Sequence, residues 1–101
     1  MKYQLVLQFP EELFSDLDWI ADIEDRLDES LNDAEVDGHD FGSGEINILI
    51  HTNNPVRTFD VVRTILKDSD LFEHLKVAYR DISGEQYTCL WPQDLQYFSI
   101  K

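Results

Sequence analysis

The chain has 101 residues, 43% of them hydrophobic and 12% aromatic, enough for one modest core and too apolar for a purely disordered polymer. Twenty-one acids against eight Lys and Arg give a formal charge of −13, which argues against direct binding to nucleic acid or an anionic membrane, since both attract clustered Lys and Arg. No run approaches the ~20 apolar residues that cross a bilayer, and the opening MKYQLVLQFPEE is too strand-like for a secretion signal. With a lone Cys89 that makes no intrachain disulfide, the expected compartment is a reducing cytoplasm.

Tyr3 to Phe9 alternates Tyr, Leu, Leu and Phe against Gln4, Val6 and Gln8, the pattern of a strand with one buried face, and Pro10 ends it. From Glu11 the period becomes helical. Leu13, Leu17, Ile20, Ile23, Leu27 and Leu31 form the inner stripe of a helix running to about Asn32, and Ser15 with Asp18 suits a capping box. Its outer face carries Asp18, Trp19, Asp22, Asp25, Arg26, Asp28 and Glu29. Two alternating runs, Glu35 to Phe41 and Glu45 to His51, flank Gly42-Ser43-Gly44 and predict a hairpin. With Phe41 opposite Glu45, the register sets His39 across from Asn47, Asp37 from Leu49 and Glu35 from His51. Val36, Asp40 and the three isoleucines then share the other face.

Asn54 as cap and Pro55 at the first helical position open a second helix with Val56, Phe59, Val62 and Leu66 inward. Asp70 to Leu75 reads as an extra turn. Lys76 to Ile82 and Gln86 to Trp91 read as strands around Ser83-Gly84, with Tyr87, Cys89 and Trp91 in alternation. One domain over 1–101 is expected, its core in 2–91 and a tail over 92–101 holding Leu95, Tyr97, Phe98 and Ile100.

The order is β-α-β-β-α-β plus a further C-terminal strand, an α+β chain with a mainly antiparallel sheet. From Met1 to Trp91 it resembles the ferredoxin-like two-layer plan, two helices on one face of the sheet. The stretch VDGHDFGSGEINILIHT is similar to that of small uncharacterised bacterial proteins of this shape. The resemblance implies a fold and carries over no catalytic residue.

Under that plan the other sheet face is open and displays Glu35, Asp37, His39, Asn47 and His51 beside Gln4, Val6, Gln8 and Leu49. Carboxylates and imidazoles on a rigid sheet suit a divalent metal such as zinc, with Glu35, Asp37, His39 and His51 as ligands, although no dedicated ligand spacing is present. Asp33-Ala-Glu35-Val-Asp37-Gly38 opens like a calcium loop and fails at the twelfth position, which is Gly44. Asp40 and Glu24 fall among apolar residues, where a carboxyl acts as acid or base only if buried; Asp40 beside a turn and Glu24 at the stripe's edge have simpler uses. Cys89 reads as a small buried hydrophobe.

Charge placement gives the clearest lead. Glu11 to Glu45 holds fourteen of the 21 acids and one base, Arg26. An acid run is ordinarily a solvated face that aids solubility, yet this density also steers a basic partner. The expectation is a non-catalytic protein-binding domain needing no cofactor, in concrete form an immunity-type inhibitor of a basic protein. Asp18, Asp22, Asp25, Arg26 and Glu29 would set the association rate, and Trp19 would anchor the contact. The alternatives are a small-ligand or metal-binding domain using the open sheet face, and a structural homodimer pairing two sheets through Val6 and Leu49.

Overall fold

A computed structural model describes residues 1–11, 18–42 and 44–100. The elements are β1 (Tyr3–Pro10), α1 (Asp18–Ser30), β2 (Ala34–Gly42), β3 (Glu45–Thr52), α2 (Pro55–Leu66), a 3-10 turn (Asp70–His74), β4 (Lys76–Asp81) and β5 (Thr88–Trp91). Leu13, Leu17 and the Ser15 cap lie outside the described residues. The sheet is antiparallel throughout, in the order β2-β3-β1-β4-β5.

β1 is central and buried on both faces because both receive cover. Leu5, Leu7 and Phe9 join Ile46, Ile48, Ile50 and Val77 under the two helices, which contribute Ile20, Ile23, Leu27, Phe59, Val62 and Leu66. Each such side chain, fully buried, stabilises the fold by about 1.5–3 kcal/mol. The stripe of α2 runs Pro55, Thr58, Phe59, Val62 and Leu66, at helical spacing. Val56, expected in that stripe, is 55% exposed, because it sits about a hundred degrees away from Pro55 around the helix. At the start of α2, Asn54 accepts the Arg57 N–H at 3.2 Å, so the expected cap forms.

The hairpin differs from its expected register. Gly42 pairs with Glu45, so the loop is two residues long, and Phe41 faces Ile46, Asp40 faces Asn47 and His39 faces Ile48. A bulge between Val36 and Gly38, with Gly38 at φ 136°, then restores the expected Val36–Ile50 and Glu35–His51 pairs. The slip exchanges faces for residues 39–41 only. A second irregularity, between Val77 and Ala78, pairs Val77 with Trp91 and Ala78 with Cys89. It breaks the expected Tyr87-Cys89-Trp91 alternation. Trp91 packs with Phe59 and Phe72 on the helix side, while Tyr87 and Cys89 lie on the other.

That other face is not open. Residues 93–100 cross it without regular secondary structure, burying Phe98 against Val6 and Ala78, with Leu95 and Ile100 beside it.

Candidate functional site

The site is assembled from α1 and the edge strand β2, which pack together. The apolar stripe of α1 turns Ile20, Ile23 and Leu27 to the sheet, so Asp18, Asp22, Asp25, Asp28 and Glu29 are left exposed on its far side. β2 has one neighbour, β3, and presents Glu35, Asp37 and Asp40 to solvent. A hydrogen bond of 3.0 Å between Glu24 and His39 Nδ1 fastens the helix to the strand. It exists because the two-residue loop turns His39 toward the helices, and the Glu24 side chain, 17% exposed, reaches it from the edge of the stripe.

Little internal cation meets these acids. Among the described residues the ion pairs are Glu24 with His39 at 3.0 Å, Asp37 with His51 at 3.8 Å and Asp33 with Arg57 at 3.8 Å. None involves Asp22, Asp25, Asp28, Glu29, Glu35 or Asp40. Several cations are committed elsewhere. Arg63 lies 5.0 Å from the ring centres of both Phe59 and Trp91, and Arg80 donates to the carbonyls of Asp81, Ile82 and Gly84 at 3.0–3.2 Å. Outside Glu11 to Glu45 the remaining seven acids are matched by seven bases, so the whole net charge of −13 belongs to that segment.

Two of the residues expected to make contact have other work. Trp19 is half-buried with its ring edge-on to Phe9, 5.1 Å between centres. One turn before Ile23, it lies on the flank of the buried stripe, not opposite it. Arg26 reaches α2, its Nη2 donating to the Ile65 carbonyl at 3.4 Å, where a cation meets the negative end of the helix. An exposed aromatic on β2 is Phe41, 43% exposed, its ring 5.3 Å from His39. Only knowledge of the loop length would have singled it out.

The expected metal ligands are divided. Glu35, Asp37 and His51 stay near one another, but His39 faces the helices, and no group of three potential ligands converges among the described residues. The calcium-like stretch is a bend followed by strand from Ala34. Asp40, expected on the apolar face, lies exposed on the opposite one, across from Asn47.

Under residues 93–100, Gln4, Gln8 and Asn47 are buried, and Gln8 Nε2 donates to Asn47 Oδ1 and to the Ser99 carbonyl, both at 3.0 Å. The expected pairing of two sheets through Val6 and Leu49 lacks its surface, because Phe98 already covers Val6. A hollow of about 510 Å³ lies between residues 85–89 and the tail, bordered by Tyr87, Cys89 and Phe98. Comparison with protein families, curated proteins and solved structures gave no match.

Proposed function

We propose that this protein acts by binding a basic protein through α1 and β2, with no reaction of its own, as an immunity-type inhibitor does. The observation that carries the reading is the charge asymmetry: the described part of the segment with all the net charge is chiefly one helix and one edge strand, and the outward acids Asp22, Asp25, Asp28 and Glu29 lack counterions among the described residues. Unscreened carboxylates on a rigid face raise the encounter rate with a cationic partner and cost no rearrangement on binding. Phe41, exposed on the neighbouring strand β2, supplies an apolar anchor, the part expected of Trp19. For the fold, the order β2-β3-β1-β4 with helices after β1 and β3 supports a ferredoxin-like plan to which β5 and the tail are appended.

The experiment is capture from host lysate at graded ionic strength, using the native chain beside a variant with Asp22→Asn, Asp25→Asn, Asp28→Asn and Glu29→Gln. A basic protein retained at low salt, released by added salt and absent from the variant is expected. Equal capture by both chains, or partners indifferent to salt, contradicts the reading.

A further inference from the structure

The tail is held down by few contacts. Leu95, Phe98 and Ile100 pack on the sheet, with Phe98 7% exposed and its ring 5.0 Å from that of Tyr87. Among the described residues, the hydrogen bond tying it to the sheet is Gln8 to the Ser99 carbonyl, and its own backbone bond, Leu95 N–H to the Pro92 carbonyl at 3.0 Å, is local. It adds no strand to the ladder. Hollows flank it, about 510 Å³ on the β5 side and about 100 Å³ beside Gln8, Glu45 and Lys76.

What it covers is partly polar. Asn47 is fully buried, yet its Nδ2 has no hydrogen-bond partner among the described residues, and the buried Glu45 Oε1 has none either. Desolvating a donor and an acceptor without partners opposes whatever keeps water from them. Lifting the tail would rehydrate that neighbourhood while exposing Val6 and Ala78. Closure therefore sets apolar gain against polar loss, the balance of a cover that opens.

We infer that this sheet face is a groove for an extended Leu-x-x-Phe-x-Ile segment, filled in cis by residues 93–100 and, on opening, by the same segment of a second copy. In this structure the seat is filled by this segment, and reciprocal exchange preserves every side-chain contact made in cis. Tethering keeps the cis form dominant in dilute solution, since a short link acts like a millimolar local concentration. Each copy carries −13, so screening favours the exchanged pair, opposite in sign to its effect on a basic partner.

The test adds a synthetic peptide of residues 93–100 to the full chain and to its Phe98→Ala variant, and follows methyl and amide NMR signals of Val6, Leu49 and Ala78. The variant is expected to bind the peptide roughly tenfold or more tightly than the native chain, whose groove is filled. A peptide carrying the same Phe98→Ala change is expected not to bind. Equal affinity for both chains, shifts elsewhere than this face, or no binding to either overturns the proposal. Unchanged Leu5 and Ile48 signals, from the opposite face, establish that the variant is folded. Native mass spectrometry of the unmodified chain at high protein concentration is expected to find a dimer that salt strengthens; a monomer under those conditions overturns the exchange.

Discussion

The Thr52 side chain faces the helices from the end of β3, and its hydroxyl shares a 2.7 Å hydrogen bond with that of Thr58 while accepting the Asn54 N–H at 3.0 Å. Both threonines are buried. Thr58→Val keeps the shape and leaves a desolvated hydroxyl short of a partner, so a loss of about 1–3 kcal/mol is expected in urea unfolding. Asp81 is a surface counterpart. Its carboxylate accepts from Ser83 Oγ at 2.7 Å and Ser83 N at 3.0 Å, and those bonds, with a lesser contribution from Lys2, hold its pKa below the usual aspartate value against an opposing desolvation. A carboxyl whose folded pKa is depressed adds stability above its unfolded pKa and loses it as pH falls through the folded value. An NMR titration is expected to find Asp81 titrating below its ordinary value, and Ser83→Ala to move it upward. No upward movement would mean that Ser83 is not the cause.

At the scale of elements, local chemistry is readable from the sequence and pairing is not. The strand at Tyr3 to Phe9 and the Asn54-Pro55 helix start each depend on neighbours within a few residues and form as the sequence indicates, although the second face of β1 is buried as well. The expected tight turn at Ser83-Gly84 is instead a turn at residues 82–83 leading into a longer connection to Thr88. The hairpin register depends on the loop. A three-residue loop and a two-residue loop followed by a bulge give the same pairs at Glu35 and Val36, so the pattern at the far end does not separate them. Trp19 departs from its expected outward place for a related reason, because the edge of a helical stripe is narrower than the roughly hundred degrees between successive residues. Gly38 tests the bulge. With φ at 136° and open space where a methyl group would stand, Gly38→Ala meets no clash and is still expected to cost about 1–3 kcal/mol in backbone strain. Gly84→Ala, at an ordinary φ with its nearest contact at 3.6 Å, is expected to stay within about 0.5 kcal/mol of neutral. Matched thermal unfolding of the two variants measures the difference, and equal effects would mean that the bulge is unstrained.

Across the whole molecule, the charge is visible in the sequence and its cover is hidden. That one segment is acidic is plain in composition. That its described part becomes a helix face beside a sheet edge follows from the stripe of α1 and the terminal place of β2. The fate of residues 93–100 is not legible in the same way, since the seat of Phe98 is made by β1 and β4, remote in the chain. The result is a domain with an acidic outer face on α1, further carboxylates along the β2 edge, and a sheet face closed by its own C-terminal segment. The most direct test of the acidic side is to titrate a short oligolysine peptide into the chain at low salt and map amide shifts. Changes confined to the outer side of α1 and the adjoining edge of β2, centred on Asp22, Asp25, Asp28 and Glu29, are predicted, together with their loss when salt is added. Shifts spread evenly over the molecule, or centred on the tail-covered face, would contradict a docking surface made of those carboxylates.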